Sequence, residues 1–394
     1  MSRRSGATFG AAELAEVRDA LAPGPVSSAG LAGALGVASR PLGAAGVLAA
    51  VGTVRASLVG AGPLQALLDD PRTTDVLVNG PGQVWVDDGA GLRRVDVDVG
   101  DEAALRHLAV RLASAAGRRL DDASPCVDAR LPDGVRLHAV LPPVSPVGTL
   151  VSLRVPRRRA FSLAELTGAG AVPPSWGPVL VALVRRRLAF LVSGATGSGK
   201  TTVLSTLLGL ADPGQRVVLV EDAAELRPDL PHVVRLEARH GNVEGAGAVT
   251  QADLVRHALR MRPDRLVVGE CRGGEVRDLL AALNTGHEGG CGTVHANAAA
   301  DVPARLEALG ALAGLDGAAL AAQAGSALDA VLHLRRDGGR RRLVEIAVIR
   351  REGAGLATDT ALAADPADPA APGRRGPGWP RLAELLGVEA GPAP

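Results

Sequence analysis

The chain has 394 residues, of which 47% are hydrophobic and 22% are charged, and its formal net charge is +1. This length allows two or three domains, and the near-neutral charge provides no overall field that would attract nucleic acid. The three cysteines are far apart and none forms a C-x-x-C pair, so neither a disulfide framework nor a structural zinc module is expected. No run of about 18 apolar residues predicts a membrane span, and no apolar signal segment follows the N-terminus, which together favour a cytoplasmic protein.

Some residue types are nearly absent, and the few copies that occur are informative. The chain contains no Tyr, a single lysine and four asparagines: Asn79, Asn242, Asn284 and Asn297. Its abundance of Ala, Gly, Arg and Val is typical of a GC-biased genome, in which lysine and asparagine codons are disfavoured. We therefore expect the single lysine, Lys200, and these asparagines to lie where other residues cannot replace them.

The N-terminal half of the chain is predicted to contain one compact domain. Residues 1–62 are rich in Ala and Gly, with helical stretches broken by prolines, and are predicted to form a loosely packed helical extension. A smaller α+β domain is predicted over 63–156. It contains short strands such as Thr74–Val78 and Thr149–Val155 and the helix Asp101–Ala116, whose leucines recur at helical spacing.

The C-terminal half is predicted to form a larger α/β domain. A linker rich in Gly, Pro and charge is predicted over 157–178. Over 179–352, apolar strands alternate with helices, which is typical of a parallel sheet covered by helices. This domain closes with a hairpin of Val331–Leu334 and Leu343–Ile349. The Ala/Pro/Gly-rich tail 353–394 is predicted to be disordered.

A glycine-rich loop follows the apolar strand Leu188–Val192 and precedes the predicted helix Thr201–Leu210. It matches G-x-x-x-x-G-K-[ST], in which backbone N–H groups at a helix N-terminus converge on phosphate oxygens. The lysine would reach the β- and γ-phosphates and the next threonine would ligate Mg²⁺, so the pattern predicts ATP and Mg²⁺ as cofactors. A chance glycine-rich turn is disfavoured by the strand–loop–helix context. The predicted nucleotide-binding residues are Gly194, Ala195, Thr196, Gly197, Ser198, Gly199, Lys200, Thr201 and Thr202.

Carboxylates follow two of the apolar strands in the second domain. Glu270 ends the run Leu266–Gly269, and a strand beside a phosphate loop commonly supplies an acidic group toward Mg²⁺ and the attacking water. We predict that Thr201 and Glu270 hold the metal, with a structural salt bridge of Glu270 as the alternative. Glu221 and Glu225 follow the strand Val217–Val220 and either act on the water or Mg²⁺ or form an ordinary acidic helix start. Which carboxylate acts is left open.

Two histidines and two arginines are further candidates. His287 and His295 lie near a strand end, but no third ligand has a spacing that predicts zinc. Arg136 and Arg154 lie on neighbouring predicted strands of the first domain. They are either surface arginines paired with nearby Asp, or donors that reach a nucleotide, because charge on the γ-phosphate favours guanidinium groups.

In order along the chain, these motifs resemble the type II/IV secretion ATPase superfamily, and most closely the tight-adherence (Tad), or CpaF-like, pilus-assembly ATPases in their actinobacterial form. The resemblance covers about 63–349 and lacks the tetracysteine zinc module of some pilus-extension motors. The segments that carry it are Thr74–Gly80, Asp128–Arg136, the loop 194–202, Val220–Leu226, Val255–Glu275 and Asn284–Asn297.

The resemblance implies a fold and a set of roles. The fold is a RecA-like P-loop core preceded by a smaller PAS-like domain, assembled as a homo-hexamer. Glu270 corresponds to an atypical Walker B carboxylate, Glu221 or Glu225 to the acidic box, and His295 to the histidine box. Arg136 and Arg154 correspond to arginines that face the nucleotide.

The resemblance implies an ATP-hydrolysing motor, peripheral at the inner face of the cell membrane, that acts on an inner-membrane platform protein to drive pilus assembly or secretion. A DNA-translocating or conjugation-linked motor is the alternative, which the near-neutral charge and the scarcity of aromatic residues disfavour. Nucleic acid is therefore not an expected partner. A scaffold that binds ATP without turnover is the third possibility, which the intact motifs disfavour.

Overall fold

A computed structural model describes residues 56, 60–89, 91–155, 159–239, 247–337, 339–365, 368 and 371–389. The predicted extension over 1–62 therefore lies outside the described residues, apart from 56 and 60–62. By its contacts the chain divides into two compact units, Met1–Arg157 and Arg158–Pro394. No helix in the described ranges is long and apolar enough to cross a membrane.

The first unit is an antiparallel sheet with one long helix. Its strands follow the spatial order β3-β2-β1-β6-β5-β4. The predicted helix is confirmed: Asp101 caps it by accepting from the N–H of Ala104, and its Leu105, Leu108 and Leu112 are buried in the core. The elements are α1 (Gln65–Leu68), β1 (Asp75–Val78), β2 (Val84–Asp87), β3 (Leu92–Val95), α2 (Glu102–Ala115), β4 (Cys126–Arg130), β5 (Arg136–Val140) and β6 (Leu150–Arg154).

The second unit is built on a nine-stranded mixed sheet in the order β15-β14-β13-β12-β7-β11-β10-β8-β9. Its elements are α3 (Leu163–Gly168), α4 (Gly177–Arg185), β7 (Phe190–Gly194), α5 (Lys200–Leu208), β8 (Val217–Glu221), β9 (Val233–Glu237), α6 (Gln251–Leu259), β10 (Arg265–Cys271), α7 (Glu275–Leu283), β11 (Cys291–Val294), α8 (Val302–Leu312), α9 (Gly317–Ala327), β12 (Ala330–Asp337), β13 (Arg340–Glu352), β14 (Gly355–Ala363), β15 (Arg374–Arg375) and α10 (Trp379–Leu386).

The centre of this sheet is parallel, as the alternation of strands and helices predicts. Strands β12, β7, β11, β10, β8 and β9 pair in parallel, and β7, β8 and β11 are buried along their whole length. Helices α4, α5 and α10 cover one face, and α6, α7, α8 and α9 cover the other. Because the carboxyl ends of parallel strands meet at one edge, the loops after β7, β8, β10 and β11 lie together.

The prediction of a disordered tail over 353–394 is wrong for the residues that the structure describes. Strand β14 pairs antiparallel with β13, and helix α10 packs on the core. The helix buries Trp379, Leu382, Ala383 and Leu386, an i, i+3, i+4, i+7 stripe that the surrounding Pro and Gly obscure in the sequence.

The predicted linker over 157–178 also contains ordered structure. Helix α3 begins with a capping box formed by Ser162 and Glu165. Trp176 is 1% exposed, and its Nε1 donates to the carbonyl of Pro372, 3.0 Å away. The described part of this segment therefore packs within the second unit rather than acting as a linker.

Candidate active site

The glycine-rich loop joins the buried strand β7 to helix α5, as its sequence predicts. Gly194, Gly197 and Gly199 have φ angles of 148°, 71° and 97°, in the region that favours glycine. A Cβ on Gly194 would lie 2.5 Å from the carbonyl oxygen of Leu334, so no larger residue fits there. No side chain caps the N-terminus of α5, which leaves its first N–H groups available to an anion.

Lys200 is folded back onto this loop. Its side chain is 7% exposed, and its Nζ donates to the carbonyls of Gly194 and Ala195 at 2.9 and 3.0 Å. Nζ also lies 3.4 Å from Nδ1 of His295. Burial lowers the pKa of Lys200, while the charge of Glu270 acts in the opposite direction.

Glu270 lies at the centre of a chain of polar contacts. Its Oε1 is 2.6 Å from Nε2 of His295, and its Oε2 accepts from Arg272 at 2.7 Å. Burial opposes ionisation of Glu270, but the hydrogen bond and charge of Arg272, with smaller effects of His295 and Lys200, lower its pKa. The Glu270 carboxylate is thus available to accept a proton or bind a cation.

His295 connects this carboxylate to the loop lysine. Burial, and then the charge of Lys200, lower the pKa of His295, which favours the neutral ring. Because Glu270 only accepts and Lys200 only donates, the partners assign the proton to Nε2 and the lone pair to Nδ1. The structure thus brings Lys200, His295 and Glu270, three predicted site residues, into one contact chain.

Glu221 lies at the end of β8, beside Glu270's strand. It is 3% exposed, and its Oε1 accepts from the N–H groups of Glu225 and Leu226, both at 2.9 Å. Its Oε2 is buried without a hydrogen-bond partner among the described residues. Burial raises the pKa of Glu221 to about 7, although the two backbone hydrogen bonds oppose the shift. Glu225, four residues further along the loop after β8, is exposed.

Gly269, the residue before Glu270, has no room for a side chain. Strands β8 and β10 pair in parallel, and a Cβ on Gly269 would lie 2.7 Å from Cγ of Glu221. Side-chain carbons do not approach this closely, so a residue other than glycine would displace Glu221. The carbonyl of Gly269 is held by the hydroxyl of Thr293 at 2.7 Å. The space that a side chain at position 269 would fill is taken by Glu221.

Arg136 and Arg154 belong to the first unit and lie directly opposite each other on β5 and β6. Nε of Arg154 is 3.0 Å from Oδ1 of Asp75, so the surface pairing considered from the sequence is present for this residue. Cross-strand neighbours in an antiparallel sheet share a face, so both arginines lie on the same side.

Some residues that complete the site had no role assigned from the sequence. Arg272 holds Glu270, and its Nη1 is 3.9 Å from Asp222. Arg341 donates from Nε to the carbonyl of Gly197 at 2.9 Å, although the Arg340–Arg342 triplet looks like a solvated strand end. Arg272 directly follows β10, two residues after Glu270, and this short spacing in the sequence is a signal that could have found Arg272.

The loop, its buried lysine and the neighbouring carboxylates on a parallel sheet define a P-loop nucleotide-binding core. The chain belongs to the type II/IV secretion system protein family, whose model matches residues 57–359. It is 60% identical over 295 residues to a protein of Mycobacterium tuberculosis named "Putative conjugal transfer protein", covering 73% of this chain and 84% of that one. It is 35% identical over 317 residues to the type IV secretion system protein PtlH of Bordetella pertussis, covering 72% and 93%.

Two solved structures show the same fold at low identity. The pilus retraction motor PilT with bound ADP superposes with a TM-score of 0.51 at 19% identity, over 75% of this chain and 80% of PilT. The ATPase DotB of Legionella pneumophila superposes with a TM-score of 0.50 at 19% identity, over 72% and 79%. The predicted fold class, a RecA-like core with a smaller α+β domain before it, is confirmed.

Proposed function

We propose that this chain hydrolyses Mg-ATP and uses the energy as a motor for pilus assembly or secretion. The observation that carries the proposal is the contact chain from Lys200 through His295 to Glu270 beside a complete phosphate loop. The glycine cradle and the uncapped N-terminus of α5 fit an anion with several phosphate oxygens.

The loop and its neighbours would bind the phosphates and Mg²⁺ in the proposed reaction. The loop N–H groups and Lys200 bind the phosphates, so Lys200 exchanges its contacts with Gly194 and Ala195 for phosphate oxygens. The hydroxyl of Thr201 and the carboxylate of Glu270 would hold Mg²⁺, which neutralises charge on the phosphates.

The water that attacks the γ-phosphate must be oriented, and its proton must be accepted. Glu270 is ionised and partly exposed beside the loop, where water can reach it, so we place the acceptor there, with Glu221 or Glu225 as the alternatives. His295 links the carboxylate to the lysine, so its contacts with Lys200 and Glu270 would change when the γ-phosphate leaves. Arg136 and Arg154 would supply charge to the phosphates from the first unit of the same or a neighbouring subunit.

We further propose that the motor is a homo-hexamer on the cytoplasmic face of the inner membrane, which acts on a platform protein of a Tad or type IV-like pilus system. Membership of the secretion family supports this setting.

A conjugation-linked DNA motor is the second candidate, and the names of relatives favour it. The chain is 60% identical to a protein named for conjugal transfer and 30% identical to the conjugal transfer protein TrbB of Rhizobium radiobacter. Against it, the net charge is +1 and the chain has only three Phe, three Trp and no Tyr to stack bases.

The two candidates differ in what stimulates turnover. ATPase rate would be measured at moderate salt with single- and double-stranded DNA, with a cytoplasmic fragment of a pilus platform protein on anionic lipid, with the lipid alone, and with none of these. Stimulation by the fragment and none by DNA is expected. Strong stimulation by DNA with none from the fragment would favour the DNA motor.

A further inference from the structure

Two arginines of the β12–β13 hairpin contact the phosphate loop from the side away from Glu270. Nε of Arg341 donates to the carbonyl of Gly197 at 2.9 Å. A Cβ on Gly199 would lie 3.5 Å from Cδ of Arg341, and one on Gly197 would lie 3.6 Å from Nη1 of Arg336. The two arginines are register partners across the hairpin, so their side chains share one face.

Within the described part of the chain, neither Arg336 nor Arg341 forms an ion pair with a carboxylate. Their neighbour Arg335 differs, because its Nε lies 2.8 Å from Oδ2 of Asp337. Arg341 uses one guanidinium N–H on Gly197, and four of its five donors remain. The phosphate loop is thus bordered by two positively charged side chains that are available to bind an anion.

The strand order shows on which side of the phosphate loop these arginines lie. The loop strand β7 lies between β11, which leads to His295, and β12, which leads to the hairpin. Glu270, on β10, lies beyond β11. If the γ-phosphate lies against His295 and Glu270, the α- and β-phosphates extend toward the hairpin.

We propose that Arg341, with Arg336 beside it, binds the α- and β-phosphates of the nucleotide and so sets the affinity for di- and triphosphates alike. The inference rests on the proposed nucleotide site. It adds the arginine pair of the hairpin to Lys200 as a second source of positive charge. Arg341 then has two roles. One of its N–H groups holds the carbonyl of Gly197, and the others donate to phosphate.

The test is equilibrium binding of a fluorescent ADP, which needs no turnover, to the full chain and its variants. Arg341→Ala is expected to weaken ADP and a slowly hydrolysed ATP analogue by the same factor, about tenfold, the size of one charge-assisted hydrogen bond. Arg340→Ala removes the same charge from the adjacent exposed position and should bind like the wild type.

Conservative variants separate binding of phosphate from support of the loop. Arg341→Gln keeps a donor for the Gly197 carbonyl but loses the charge, whereas Arg341→Lys keeps the charge. The proposal expects lysine to restore more ADP affinity than glutamine. Wild-type affinity in Arg341→Ala or Arg341→Gln, or a loss confined to the triphosphate, would overturn it. If the wild type itself bound no ADP, the proposed nucleotide site would be refuted instead.

Discussion

Replacing Glu221 with glutamine is expected to flatten the dependence of stability on pH between pH 5 and pH 8. Glu221 is 3% exposed, and burial raises its pKa from 4.5 to about 7. In the unfolded chain the carboxyl loses its proton near its ordinary pKa, but in the folded protein it keeps the proton until about pH 7. The folded state therefore binds more protons in this window, and stability falls as the pH rises.

The size of the effect follows from the two pKa values of Glu221. Each pKa unit corresponds to about 1.4 kcal/mol, so the free energy of unfolding should fall by about 2 to 3 kcal/mol from pH 5 to pH 8 because of this residue alone. Glutamine does not titrate, and its oxygen can still accept from the N–H groups of Glu225 and Leu226. Its NH₂ group would lie where Oε2 now has no partner among the described residues, a cost that does not vary with pH.

The assay is urea unfolding of the wild type and Glu221→Gln at several pH values between 5 and 8. The difference in free energy of unfolding, variant minus wild type, should rise by about 2 to 3 kcal/mol across the range. Glu225→Gln, which removes an exposed carboxylate from the same segment, should keep most of the wild-type slope, because the charge of Glu225 contributes less than burial to the raised pKa of Glu221. A constant difference for Glu221→Gln would refute the reasoning that this carboxyl is held protonated by burial.

Three other predictions follow from the site. Glu270→Gln should bind Mg-ATP but hydrolyse it slowly, because an amide cannot accept the proton of water; normal turnover would show that another carboxylate acts. Arg136→Ala or Arg154→Ala protein mixed with Lys200→Ala protein should regain ATPase activity in mixed rings, whereas full activity of both arginine variants alone would exclude their role. Gly269→Ala should lower the free energy of unfolding in urea by about 1–3 kcal/mol, because its Cβ would lie 2.7 Å from a β8 side chain; unchanged stability would contradict that contact.

The parts of the fold that local patterns encode could be predicted from the sequence. Helix α2 has an N-cap and leucines at helical spacing, and the phosphate loop is a contiguous motif between a strand and a helix. Helix α10 lies in the segment predicted to be disordered, because its apolar stripe is short and flanked by Pro and Gly. The order of strands across the sheet depends on long-range pairing, which no local pattern shows.

The site shows the same division between local and long-range information. Glu270 and His295 could be selected from strand ends, but their 2.6 Å contact depends on the pairing of β10 with β11. The fit of Gly269 against Glu221 and the contact of Arg341 with Gly197 join residues that are far apart in the sequence. Both contacts arise from packing between strands, so the sequence alone could not assign roles to Gly269 and Arg341.

The central claim is that the loop at 194–202 is a site of ATP hydrolysis. The most direct measurement is Mg²⁺-dependent release of phosphate from ATP by the purified full chain and by Lys200→Ala, with nucleotide binding and thermal unfolding measured on the same samples. The account predicts turnover by the wild type, weakened nucleotide binding and no turnover by Lys200→Ala, and the same unfolding transition for both. Wild-type turnover by the folded variant would contradict it.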